Sequence, residues 1–302
     1  MVYLHKDKER FFEAINLVVY QTGLSAEAVE KDYYVTMILK HLAEKFSFIV
    51  FKGGTSLSKC HQVIKRFSED LDLTIDMSLS QGQKKKVKAA IVEIVEIMGL
   101  EIANLEEIKS RRDYNRYVIA YESVLTKKNG VVQPAVSVET SYTAVSFPTV
   151  LLPVRNYVGV MMKEEAPEFV DVYGLDEFEM KVQDLDRTLA DKVFAVCDYY
   201  LQDKIKNHSR HIYDIFKLLP LVPQNDEYCK LVQEVRNIRK LSPICPSAQE
   251  NVDIPRLLEK IIAEAVYKAD YQNLTEGLLE EKISYETAVE ALKEIAEGQM
   301  FC

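Results

Sequence analysis

Asp70 and Asp72 are separated by a single residue in the stretch Ser68-Glu69-Asp70-Leu71-Asp72-Leu73. The alternation Leu71, Leu73, Ile75 predicts a strand, and side chains two apart on a strand share a face. Two carboxylates projecting together repel, and one takes up a proton unless a cation lies between them. A hard divalent ion, Mg²⁺ or Mn²⁺, suits such oxygen ligands and completes its shell with water and substrate phosphates. Just upstream, the apolar run Phe48 to Phe51 predicts a buried strand, and Gly53-Gly54 follow it directly. Without Cβ atoms the backbone there can turn sharply and admit a phosphate. Thr55 to Lys65 is expected to wind as one short helix, with Leu57 and Val63 or Ile64 inward. The N–H groups and hydroxyls of Thr55 and Ser56 at its start are available to an anion. Strand, glycine turn, helix and Asp-x-Asp strand together predict a site for a metal-bound nucleoside triphosphate.

The same residues carry a family resemblance. Gly53-Gly54-Thr55 followed by Asp70-Leu71-Asp72 resembles the signature of the DNA polymerase beta-like nucleotidyltransferase superfamily. The longer wording, KGGTSLSK at 52–59 and RFSEDLDL at 66–73, is similar to the AbiEii/AbiGii group of toxin nucleotidyltransferases, as is EKDYYVTMIL at 30–39. Lys59 and Arg66, in the same stretch, join Gly53, Gly54, Thr55 and Ser56 as expected nucleotide contacts. Arg66 is open to a second reading, as a salt-bridge partner within the turn.

Composition bounds the rest. At 302 residues, 48% hydrophobic, the chain is long enough for one large or two ordinary domains. No signal peptide and no apolar run long enough for a bilayer is apparent, so a soluble, cytoplasmic protein with no membrane partner is expected. Cys60, Cys197, Cys229, Cys245 and Cys302 are scattered and lack Cys-x-x-Cys spacing, which speaks against a zinc site or a disulfide framework. The net charge of −9 is uneven. Residues 1–150 hold 20 basic and 19 acidic side chains, net +1, and residues 151–302 hold 18 and 28, net −10. A globally acidic chain is a poor general nucleic-acid binder, so RNA contact requires a local basic patch. The acidic half suits a basic protein partner equally well.

The elements that must position these residues are read from periodicity. A helix is expected within residues 1–23, ended by Gly23, and a second from Ala26 to about Lys45, capped by Ser25. Glu30-Lys31-Asp32 on the latter is either a solvated charged face or a brace for the substrate pocket. Residues 83–98 form an amphipathic helix with Val87, Ala90, Ile91, Ile94, Val95 and Met98 inward. Its lysines, Lys84 to Lys86 and Lys88, are either solvated or steer a nucleic acid. Strands are expected at Ile102–Ile108, Tyr114–Val124 and Pro134–Tyr142, with a hairpin turn at Lys127-Lys128-Asn129-Gly130. If the last strand lies beside the Asp70/Asp72 strand, Glu139 becomes a third metal carboxylate; otherwise it is an exposed strand glutamate. Lys109, Arg111, Arg112 and Arg116, interleaved with Tyr114 and Tyr117, suit RNA or a solvated hairpin. Residues 143–180 read as a connector with extended pieces at Val150–Val154 and Tyr157–Met161. Helices are expected at 184–200, 207–219, 226–239, 254–270 and 284–297.

The fold expected is α+β. A nucleotidyltransferase core with a mixed β-sheet flanked by helices, residues 1–174, precedes a helical domain, residues 175–302, with the active site in the cleft between them. The resemblance adds two motifs, Ala190-Asp191-Lys192 and RHIYDIF at 210–216. It implies that Lys192 and Asp214 border the nucleotide, Lys192 stabilising the departing pyrophosphate and Asp214 orienting it or holding the acceptor hydroxyl. Taken alone, Lys192 is a surface lysine. His211 is either a helix-surface histidine or a base or phosphate contact. The activity implied is Mg²⁺-dependent transfer of NMP from an NTP to RNA, in particular a tRNA 3′ end. The protein would be the toxin of a toxin–antitoxin or abortive-infection pair with a cognate antitoxin. The alternatives are nucleotidylation of a small molecule or protein hydroxyl, and a non-catalytic NTP-binding regulator.

Overall fold

The computed structural model describes residues 2–66, 68, 70–110, 112–125, 133–298, 300 and 301. Arg111, the turn expected at Lys127–Gly130, and Cys302 lie outside the described residues. The chain divides into two compact units, Met1–His61 with Ser68–Val182, and Gln62–Phe67 with Gln183–Cys302.

The first unit opens with helices α1 (Lys8–Thr22) and α2 (Ala26–Lys45). Gly23 ends α1 in the left-handed conformation, φ 74°, and the Ser25 side chain caps α2 by accepting from the Ala28 N–H. Strand β1 (Ile49–Lys52) runs straight into helix α3 (Gly53–Lys59), and β2 (Leu71–Ile75) follows. Helix α4 (Gln81–Met98) starts with a reciprocal Ser80/Gln83 capping box and stops at left-handed Gly99. Strands β3 (Glu101–Ile102), β4 (Tyr114–Ala120), β5 (Ala135–Val145) and β6 (Thr149–Val154) come next, then helices α5 (Tyr157–Glu165) and α6 (Glu168–Tyr173) and strand β7 (Phe178–Gln183).

One mixed sheet results, in the order β3-β4-β5-β2-β1-β7-β6. β2 is antiparallel to β1 and parallel to β5, and β4 is antiparallel to β5. Phe51, Leu71, Leu73, Tyr117, Ile119, Val136 and Val138 are buried with the α2 and α4 stripes in one apolar core. Fully burying a Val, Ile or Met side chain is worth about 1.5–3 kcal/mol. The alternating residues Lys52, Asp72, Arg116 and Glu139 therefore take the opposite face.

The second unit is helical. Helix α7 (Leu185–Leu201) begins at an Asp184 cap, and α8 (Arg210–Leu218), α9 (Asp226–Arg239) and α10 (Ile254–Glu264) follow. Short helices at Tyr285–Ala288 and Glu290–Glu297 complete it. Residues 62–67 join this unit: Arg66 forms a β-bridge with Leu279, and the Glu280 N–H donates to the Lys65 carbonyl at 3.0 Å.

Several expectations are corrected. The helix expected to reach Lys65 stops at Lys59, because Gln62 sits at φ 57° and the chain beyond it pairs within the second unit. Residues 157–161 are helical, not extended, since the Asn156 side chain caps them and Val158, Met161 and Met162 are buried at helical spacing. The strand expected at Ile102–Ile108 is only Glu101–Ile102, followed by a 3-10 turn. The helix expected to reach Asp270 ends at Ala265, φ 48°, and the last helix is broken after Ala288. The units divide past Gly174, which caps α6, because β7 still belongs to the sheet beside β1.

Candidate active site

The strand register assembles the first group of residues. Asp72 pairs with Lys52 across β1–β2 and with Glu139 across β2–β5, and Glu139 pairs with Arg116 across β5–β4. Cross-strand partners share a face. Arg116, Glu139, Asp72 and Lys52 thus form one rung over four strands, two acids inside and a cation at each end. The Arg116 guanidinium lies 3.8 Å from the Glu139 carboxylate and donates to the Ser137 hydroxyl at 2.8 Å. Tyr114, two residues before Arg116 on the same face, donates to Glu139. Its phenol is raised above the ordinary tyrosine range by burial, then by the Glu139 charge.

The glycine turn abuts this rung. Gly53 has φ 81°, and a Cβ there would stand 2.0 Å from the Asp72 Oδ2. Only glycine permits that approach and that backbone. The Ser56 hydroxyl donates back to the Gly53 carbonyl at 2.9 Å, and Thr55 and Ser68 hydroxyls share a 2.9 Å hydrogen bond. Gly54, Thr55 and Ser56 are buried. These hydroxyls tie the turn to itself and to Ser68, three residues ahead of β2.

Asp70 lies just before β2, outside the strand and partly exposed. Among the described residues, no three His, Cys, Asp or Glu side chains converge on one metal position. The pair Asp72 and Glu139, all-oxygen and beside a face cleared by Gly53, fits an ion such as Mg²⁺. That ion takes one or two carboxylates and fills its octahedron with water and phosphate oxygens. It does not resemble a closed all-protein cage.

Lys59 is directed elsewhere. Its ammonium pairs with Asp32 and donates to the Arg155 carbonyl at 2.7 Å, with its side chain only 6% exposed.

The second group belongs to the helical unit. Arg66 grips Asp214 through two bonds, 2.7 and 2.8 Å, and Lys192 meets the same carboxylate at 2.7 Å. The Asp214 side chain is 0% exposed. Burial pushes its carboxyl up, but Arg66 and Lys192 overcome this and hold it well below the usual range. Burial lowers the Lys192 amine, and Asp214 opposes that shift. The His211 Nδ1 lies 3.2 Å from the Lys192 Nζ. Burial first, and Lys192 next, hold His211 well below its ordinary value, so it is the neutral acceptor in that contact. Two cations around one carboxylate leave the Arg66–Asp214–Lys192 group with a net positive charge.

Of the residues expected from sequence, the structure brings Asp72, Glu139, Gly53, Gly54, Thr55 and Ser56 together. It brings Arg66, Lys192 and Asp214 together; the Arg66 salt bridge is to Asp214 on α8 and not within the turn, as its second reading had it. Lys52 was not singled out by sequence, nor were the links of Tyr114 and Arg116 to Glu139. The signal available was the Tyr114/Arg116 alternation, which places both on one strand face.

The helices offer no membrane path: among the described residues none is long and apolar enough to cross a bilayer. No curated protein matches the chain. Among solved structures, MenT4, a nucleotidyltransferase toxin from Mycobacterium tuberculosis H37Rv, is similar in fold, with a TM-score of 0.55 at 17% identity. The similarity covers 95% of this chain and 88% of that one. Residues 37–294 match the family described as nucleotidyl transferase AbiEii toxin, type IV toxin–antitoxin system. With the acid pair set against its glycine turn and most of its length matched, the chain belongs to the AbiEii family of nucleotidyltransferase toxins.

Proposed function

We propose that this toxin transfers NMP from an NTP to a hydroxyl at an RNA 3′ end, that of a tRNA in particular, and that it requires Mg²⁺ or Mn²⁺. The observation that carries this reading is the in-register Asp72–Glu139 pair lying against Gly53. A bound divalent ion would supply Lewis-acid stabilisation of charge on the phosphoryl oxygens.

The chain's own residues do the rest. Asp72, with Asp70 at the strand entrance and Glu139 opposite, holds the ions. Gly53 and Gly54 present a backbone that a polyphosphate can approach, and Thr55 and Ser56 keep that backbone in place. The acceptor oxygen bonds to the α-phosphorus, the bond from that phosphorus to the β-bridging oxygen breaks, and pyrophosphate leaves. Glu139 aligns the acceptor hydroxyl and takes its proton. Lys192, held charged by Asp214, is assigned to the leaving pyrophosphate. This role is supported by its motif, Ala190-Asp191-Lys192, and by the net positive charge of its group. Arg66 serves it through Asp214.

RNA is favoured by the exposed face of β4, where half-exposed Tyr114 and the guanidinium of Arg116 flank the acids. An aromatic and a cation at that place suit an unpaired base and its phosphate. The −10 balance of residues 151–302 favours a second reading, a cationic small molecule or protein as acceptor. Incubation with each α-labelled NTP, Mg²⁺ and total tRNA tests the first. Label on tRNA that disappears in Asp72→Asn supports it; label on protein or metabolite alone replaces it with the second. A cognate antitoxin, as type IV membership entails, is expected to suppress whichever product forms.

A further inference from the structure

The Glu30-Lys31-Asp32 motif on α2 takes no part in the chemistry above, yet Glu30 and Lys31 are 2% and 4% exposed. Glu30 accepts from the Ser123 hydroxyl and the Val124 N–H, both at 2.7 Å. Asp32 does more. One oxygen pairs with the Lys59 ammonium, and the other accepts from the Tyr157 N–H at 3.0 Å. Tyr157 is the first residue of α5 and Lys59 the last of α3. One carboxylate therefore ties three helices together. The Lys59 ammonium also bonds the Arg155 carbonyl and lies 5.9 Å from the Tyr157 ring centroid.

Helix α3 has seven residues, a rod of about 10 Å. Its far end is Gly53, which touches Asp72 with no room for a Cβ. A shift of the Lys59 end is thus delivered to the turn that faces the nucleotide. We propose that Asp32 and Lys59 are a positioning pair, which sets nucleotide affinity by fixing α3 against the Asp72 strand. This inference rests on the transfer reading above. It also gives Lys59 a different task from touching phosphate: its ammonium is held between the Asp32 carboxylate and the Arg155 carbonyl.

The test is steady-state NMP transfer by wild type, Asp32→Asn, Lys59→Met and the double variant, with the folded fraction of each measured by circular dichroism. Asp72→Asn serves as the control. Both single variants are expected to raise KM for NTP about tenfold, with kcat per folded molecule changed less than about threefold. The double variant is expected to match the singles, because either loss already breaks the pair. A role in stability alone would lower the folded fraction and leave KM where it was. Unchanged KM in both single variants overturns the proposal. So does a raised KM in Lys59→Met with none in Asp32→Asn, which makes Lys59 a direct contact. If Asp32→Asn does not fold, Asp32→Glu keeps the charge but displaces it by one methylene, and is expected to raise KM about threefold. An Asp72→Asn control as active as wild type overturns the transfer reading itself, whatever the pair does.

Discussion

Asp72 on β2 and Glu139 on β5 stand directly opposite each other across a parallel strand pair. Adjacent strands are about 4.8 Å apart, so the two carboxylates share a face on neighbouring strands. The cations of the rung, Lys52 and Arg116, lie outside the pair and not between the acids. A ligand that binds only the folded state stabilises it. Mg²⁺ with a non-hydrolysable NTP is therefore expected to raise the melting temperature of wild type. At a hundredfold excess over Kd the stabilisation is about 2.7 kcal/mol. The increase should vanish in the Asp72→Ala/Glu139→Gln double variant, and differential scanning calorimetry reads both. EDTA should abolish transfer.

Gly53 and Gly23 share a left-handed backbone, φ 81° and 74°, but differ in what a methyl would meet. At Gly23 nothing lies within 4 Å, so Gly23→Ala should cost about 1 kcal/mol of backbone strain and leave activity intact. At Gly53 the methyl would displace the Asp72 carboxylate. Gly53→Ala is expected to cut kcat/KM at least about 100-fold, since misplacement of about 1 Å at a reacting centre costs that much. Equal activity of the two variants would contradict the turn's role.

Asp214 separates stability from chemistry in the helical unit. Asp214→Asn removes the carboxylate that Arg66 and Lys192 share, a loss of about 3–5 kcal/mol. Lys192→Met leaves the two-bonded Arg66–Asp214 pair in place. It should cost less than about 1.5 kcal/mol, yet remove most of the activity. Urea titration and transfer assays on both variants check this. If Lys192→Met is fully active, Lys192 has no part in the reaction.

The pH dependence of stability has a marker in the first unit. His5 is buried, its Nε2 on the Met98 carbonyl at 2.8 Å and its Nδ1 on the Tyr33 hydroxyl at 3.0 Å. Burial pushes its pKa down from 6.5 to about 4. The unfolded chain takes a proton near pH 6.5 and the folded protein not until about pH 4. The neutral ring's contribution is thus whole at pH 7 and is lost as pH falls through that window. The loss is on the order of 3 kcal/mol. Denaturant unfolding at pH 7, 5.5 and 4 should show a shallower fall in His5→Gln than in wild type.

Much of the acid rung was legible because strands alternate. Leu71, Leu73 and Ile75 fixed the face of Asp72, and Val136 and Val138 fixed that of Glu139. Caps at Ser25, Gly23 and Gly99 marked helix ends for local reasons. What escaped was tertiary. The chain past α3 follows Lys65 and Arg66, which pair near Leu279, far along the sequence. The partner of Lys59 lies on α2, and that of Arg66 on α8, where nothing local announces them. Tyr157–Met161 alternates like a strand, yet its Asn156 cap and its buried contacts wind it as a helix. β7 straddles the end of the expected connector, residues 143–180, and owes its place to pairing beside β1 in the sheet.

The most direct test is the rate at which purified protein moves label from an α-labelled NTP to tRNA in Mg²⁺, wild type beside Asp72→Asn. Removal of the Asp72 charge while the fold is kept should slow transfer about 1,000-fold or more, some 4 kcal/mol of barrier. Transfer by Asp72→Asn within about threefold of wild type would contradict the account, because the reaction would then not depend on the acid pair.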